Sequence, residues 1–169
     1  MKKLIVCLSI LVMTMFSSYL GAQYAKDYYK SAMEFVEAGK YTDAIGLLTK
    51  AIEIDPQMSQ AYMQRAFCYE QTNNLEKANE DYGRAIVVDS KNQEAYYGTG
   101  VIQYKLMNYD TAVQLFNKTI DLKPRFIEAY QYKILTLIEL QRYHEAFETS
   151  KLTLLIKENA ENLYYHVLI

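Results

Sequence analysis

The strongest constraint on this chain is a phrase written more than once. Residues 41–56 read YTDAIGLLTKAIEIDP, and residues 109–124, 68 positions later, read YDTAVQLFNKTIDLKP. Halfway between them stands LEKANEDYGRAIVVDS at 75–90, and 34 positions beyond the second copy comes YHEAFETSKLTLLIKE at 143–158. A fixed period of this length means that each unit is one supersecondary element. Such an element cannot bury its own apolar face and must stack on its neighbours. Divided at 34, the chain holds four units, 25–58, 59–92, 93–126 and 127–160, and a partial fifth, 161–169.

Each unit reads as two helices. In the second, Ala61, Tyr62, Arg65, Ala66 and Tyr69 recur at helical intervals, which lays small and aromatic groups along one stripe. A short break follows, GK, NN, MN or QR. Gly39 and Asn73 suit the left-handed residue that ends a helix; Met107 and Gln141 do not, so a different termination is expected there. The second half is another helix, and Pro56 and Pro124 block its continuation.

Tyrosine holds the fourth place of every unit (Tyr28, Tyr62, Tyr96, Tyr130, Tyr164), and alanine the twentieth (Ala44, Ala78, Ala112, Ala146). On these residues the chain resembles the tetratricopeptide repeat (TPR) family over 25–169. The resemblance implies an all-α fold: a right-handed α-solenoid of four 34-residue helix-turn-helix units with a short C-terminal capping helix at 161–169. The fourth unit departs from the pattern. Ile134 stands where a small residue is expected, and Ser150 takes the place held elsewhere by Leu48, Tyr82 and Phe116. The apolar finish at Val167, Leu168 and Ile169 has two readings, a cap folded back on the fourth unit or a surface through which two copies associate as a homodimer.

The first 22 residues differ from the rest. MKK precedes thirteen uncharged residues, LIVCLSILVMTMF, and then SSYLGAQ. A basic start, a short apolar core and small residues are the parts of a secretory signal peptide, with cleavage expected after Ala22. An uncleaved anchor is the rival reading, although the stretch reaches only about 17 residues, the lower limit for spanning a bilayer. Either way the expected location is outside the cytoplasm, in the periplasm or cell envelope. Cleavage would remove Cys7 and leave Cys68 alone, so no intramolecular disulfide is expected. The mature chain is not expected to span a membrane. Loss of Lys2 and Lys3 would take the net charge from −2 to −4, without a basic stripe, which disfavours nucleic acid as a partner.

Catalytic patterns are missing from the sequence. The two histidines, His144 and His166, and the cysteines show no metal-ligand spacing, and no nucleophile elbow or phosphate-cradling glycine loop accompanies the serines. No metal, no cofactor and no enzymatic activity are expected. The expectation is a binding protein for a protein or peptide partner.

By resemblance, the first helices line a concave face with their second, fifth, ninth, twelfth and thirteenth residues. The contact candidates there are Tyr29, Met33, Phe67, Tyr97, Val101, Tyr104, Leu135 and Ile138. Some family members grip a terminal carboxylate with lysine, asparagine and arginine; the corresponding places here hold Tyr29, Met33, Gln64, Glu94 and Gly98, so that grip is missing. An apolar centre with a polar rim suggests an amphipathic helix or an extended apolar segment as ligand. Replacing Tyr97 and Tyr104 by alanine is expected to abolish partner capture with little change in melting temperature.

Overall fold

A computed structural model describes the backbone of residues 2–156 and the side chains from residue 19 onward. Over that span the elements are helices, and no strand occurs among the described residues. In order they are α1 (Lys2–Glu37), α2 (Tyr41–Ile54), α3 (Ser59–Gln71), α4 (Leu75–Val88), α5 (Gln93–Lys105), α6 (Tyr109–Leu122), α7 (Ile127–Glu139) and α8 (Tyr143–Ile156). Each helix packs chiefly on its neighbours in the chain, and the first helices α3, α5 and α7 also touch one another across the stack. The result is a helical solenoid. The expected capping helix, with Tyr164, His166, Val167, Leu168 and Ile169, lies outside the described residues, as do the side chains of the apolar leader.

The first helix is longer than a repeat requires. It runs unbroken through Gly21 and Ala22. Gly21 faces α2 at a distance that would put a Cβ 3.8 Å from Ile54 Cγ2. Among the described residues no helix is long and apolar enough to cross a membrane.

The turns within the pairs correct one expectation. Gly39, Asn73, Met107 and Gln141 all adopt positive φ, at 69°, 58°, 61° and 60°. Met107 and Gln141 therefore end their helices as the other two do. In each turn the left-handed residue donates its N–H three residues back, and the next residue donates five back, for example Met107 to Tyr104 and Asn108 to Gln103, both at 2.9 Å. This paired closure satisfies the last carbonyls of the helix, and it holds even where the side chain disfavours the conformation. Met107 is 74% exposed and meets no steric barrier beyond its own backbone.

Between the pairs, short aspartates turn the chain. Asp55 and Asp89 each accept from the backbone N–H two residues on, at 3.0 Å. Asn92 then opens α5 by accepting from the Ala95 N–H at 3.0 Å.

The core is built from small residues that let helices approach. The four alanines Ala44, Ala78, Ala112 and Ala146 are all fully buried. So are Ala51 and Ala85 seven places on, where the later units carry Thr119 and Thr153. Those threonines are accommodated because each hydroxyl donates to its own helix, to Leu115 O at 3.0 Å and Ser150 O at 2.6 Å.

The two departures in the fourth unit make sense as a pair. Gly100 lies so near Phe116 that a Cβ on it would stand 2.6 Å from the ring. At the equivalent places of the next unit the volumes are exchanged, Ile134 for the glycine and Ser150 for the phenylalanine, and both are fully buried. Large faces small in either case, so the space between the two helices stays filled.

Candidate functional site: a groove across the first helices

A groove of about 480 Å³ runs across α3, α5 and α7. Met63, Gln64, Phe67 and Glu70 of α3 form one wall, Glu94, Tyr97, Gly98 and Val101 of α5 the middle, and Tyr132 of α7 the far side. Tyr82 reaches the same groove from α4, a second helix. It can do so because Gly98 has no side chain: a Cβ there would sit 2.6 Å from the Tyr82 ring.

Tyr82 is 5% exposed, and its hydroxyl donates to Glu70 Oε2 at 3.3 Å. Burial, with the Glu70 carboxylate beside it, raises the phenol well above its usual range. The other oxygen of Glu70 holds Lys105 Nζ at 2.7 Å, across from one repeat to the next. Glu94 is half-exposed, with Lys123 Nζ at 3.9 Å.

The far side is an aromatic cluster centred on Tyr132. Its ring meets Tyr97 and Tyr104 nearly edge-on, with centroids 5.8 Å away in both cases, and Phe116 at 5.8 Å in a tilted arrangement. Tyr97 also lies 5.0 Å from Phe126. Such pairs add about 0.5–1.5 kcal/mol each beyond the area they bury. That corrects the expectation that Tyr97 and Tyr104 can be removed at little cost. Both rings brace the core around Val101, Ala112 and Phe116, so the double alanine variant loses packing as well as any contact surface.

Of the residues singled out from sequence, Phe67, Tyr97 and Val101 meet in the groove. Val101 is 6% exposed and forms part of the floor. Tyr29, Met33, Tyr104, Leu135 and Ile138 are half-buried on the first helices but are not among the groove's lining residues. Tyr29 packs on the core of the first pair, where burial raises its phenol, and Ile138 packs on the core of the last.

Seven lining residues stand outside the named candidates: Met63, Gln64, Glu70, Glu94 and Gly98, at first-helix places already read onto the concave face or the carboxylate grip, and Tyr82 and Tyr132. Tyr132 occupies the sixth place of its unit, as Gln64 and Gly98 do in theirs, and that register was the signal that could have found it. Tyr82 becomes visible only once Gly98 is seen to leave a window.

Cys68 is free and fully buried, and burial pushes its thiol up to about 11. Among the described residues no group of three or more His, Cys, Asp and Glu side chains is placed to hold a metal ion.

The comparisons with known proteins agree with this architecture. Two family models, both for the tetratricopeptide repeat, match residues 35–98 and 94–124. Hsp70-Hsp90 organizing protein 2 of Arabidopsis thaliana is 29% identical over 91 residues, covering 54% of this chain and 16% of that protein. DnaJ protein P58IPK homolog B of Oryza sativa subsp. japonica is 25% identical over 152 residues, covering 80% and 31%. The chain thus spans less than a third of the length of these curated relatives. Among solved structures, MamA superposes with a TM-score of 0.74 at 27% identity, covering 77% of this chain and 71% of that one. The first TPR of Spaghetti (RPAP3), bound to the HSP90 peptide SRMEEVD, superposes at 0.70 with 22% identity, covering 71% and 95%, which speaks to the fold alone. Stacked helix pairs at a 34-residue spacing, with both family matches falling on them, make this chain a member of the tetratricopeptide repeat family.

Proposed function

We propose that the protein is a non-enzymatic adaptor that binds a segment of another protein in the groove across α3, α5 and α7. The observation that carries this reading is the groove itself. It is an aromatic-walled depression in a stack of helices, and among the described residues no catalytic constellation adjoins it. The relatives named above support a protein-binding role. The basic start and apolar run at residues 2–16 support export to the periplasm or cell envelope, with removal of the leader near Ala22.

Site-specific photocrosslinking in cells tests the reading. A photoreactive residue in place of Gln64, inside the groove, is expected to yield a discrete adduct with a second protein. The same residue in place of Val87, 78% exposed on α4, is expected to yield none. Equal labelling from both positions, or from neither, would remove the groove from consideration.

A second reading, a self-associating structural subunit, draws on α8, where Leu152 and Leu155 are 50% and 84% exposed. Light scattering at rising concentration separates the two: a dimer dispersed by Leu155→Glu favours self-association.

A further inference from the structure

We propose that the groove selects an internal apolar segment carrying an arginine or lysine, and rejects acidic or carboxylate-terminated tails. This rests on the reading that the groove is the binding site, and it names the chemistry of what enters.

Apart from its tyrosines, the ionisable side chains that line the groove are both carboxylates, Glu70 and Glu94, and no lysine, arginine or histidine is among the lining residues. Glu70 is held in place by Lys105 and by the Tyr82 hydroxyl, so its position is fixed. Glu94 is different. Its side chain is 51% exposed; the exposed Gln93 amide donates to its Oε2 at 2.8 Å, and its cation, Lys123, equally exposed, stands at the long distance of 3.9 Å from Oε1. Such a pair is weak and readily exchanged. An arriving guanidinium can offer the carboxylate two parallel hydrogen bonds, which the Lys123 ammonium cannot.

The neighbouring walls suit the same group. Phe67, Tyr97 and Tyr132 present rings that favour a cation over their faces and apolar side chains against their edges. Glu128, exposed at the place in the fourth unit that Glu94 holds in the third, extends the negative side of the rim. An acidic tail would meet Glu94 and Glu70 without a compensating cation on the lining, and like charges so placed oppose binding.

Fluorescence anisotropy with the full chain tests this directly. Three labelled nonapeptides share a leucine and phenylalanine frame and carry arginine, glutamine or glutamate at the centre; a fourth ends in a free Glu-Glu-Val-Asp. The arginine peptide is expected to bind about tenfold or more tightly than the glutamate peptide at low salt, with the gap narrowing as salt is raised. Glu94→Lys is expected to reverse that order while leaving the circular dichroism spectrum and melting temperature unchanged. Equal affinity for the arginine and glutamate peptides, unaltered by Glu94→Lys, overturns the charge preference and leaves the groove reading standing. Failure of all four peptides to bind overturns both. Self-association in light scattering that Glu94→Lys disperses would assign the groove to a second copy, and also overturns the proposal.

Discussion

Arg65 of α3 holds Asp81 of α4 with two guanidinium nitrogens, at 2.7 and 2.8 Å, while its third reaches Thr49 Oγ1 of α2 at 3.0 Å. One side chain thus joins the two helices of its own repeat and ties both to the repeat before. The side chains of the pair are only 17% and 5% exposed.

That burial sets the first prediction. Asp81→Ala leaves a cation without its partner in a largely dry seam, and is expected to cost about 3 kcal/mol, the lower end for breaking a buried pair because Arg65 keeps some water. Glu148→Ala removes a similar contact to Lys151, but both of those side chains are about half-exposed, and its effect is expected to be barely measurable. Urea unfolding of the two variants side by side checks the contrast. Equal losses would mean that burial of the Arg65 pair is unimportant.

The left-handed turns yield a second. Met107 bears an αL penalty of about 1–2 kcal/mol that glycine does not. Met107→Gly is therefore expected to stabilise the protein, by about 0.5–1 kcal/mol once the greater freedom of unfolded glycine is subtracted. Met107→Ala should bring no such gain, and Gly39→Ala should destabilise. Denaturant midpoints decide, with a loss for Met107→Gly being the contrary result.

A third concerns the thiol. Since Cys68 is buried and its ionisation is moved up to about 11, it should resist Ellman's reagent in the folded protein and react at once in denaturant. Above pH about 8.5 the unfolded chain gives up this proton while the folded chain keeps it, so the thiol's contribution to stability falls as pH rises from there toward 11. Tyr82, raised in the same way, adds to the decline above the usual phenol range, whereas Lys133, lowered by burial, opposes it. Unfolding free energy measured from pH 7 to 10 should decline less steeply in Cys68→Ala than in the parent.

The exchange of volumes between the third and fourth units supplies a fourth. Gly100→Ala drives a methyl into the Phe116 ring and is expected to cost about 1–3 kcal/mol, the usual range for an overfilled core. Phe116→Leu in the same chain should return part of that loss, and a double-mutant cycle on melting curves measures how much. Additive effects would show that the two residues do not share the space.

Much of this architecture was written plainly in the sequence, and the reason is repetition. A tyrosine or alanine recurring every 34 residues reports a position in a stack, because each unit solves the same packing problem as the next. What escaped was what one unit does differently. Met107 and Gln141 take a backbone shape that their side chains argue against, since the closure of the helix end outweighs local preference. Tyr82 reaches the groove through the gap left by Gly98, and Arg65 crosses between repeats to Thr49. Each of these is a relation between residues that only the folded stack brings together. The groove is correspondingly a mixture: Phe67, Tyr97, Val101 and Tyr132 sit at places that register marks, whereas Tyr82 depends on the room that Gly98 leaves it.

The mirrored pairs Gly100 with Phe116 and Ile134 with Ser150 also limit how such a chain can be rearranged. Its modules look interchangeable, yet they are keyed. A hairpin duplicated or transplanted whole carries its own matching halves, while a graft that joins α5 to α8 sets Gly100 against Ser150 and leaves a hole. The reverse splice, α7 with α6, forces Ile134 and Phe116 into one space. Gene-level shuffling of this array is therefore productive at the loops between hairpins and ruinous at the tight bends within them.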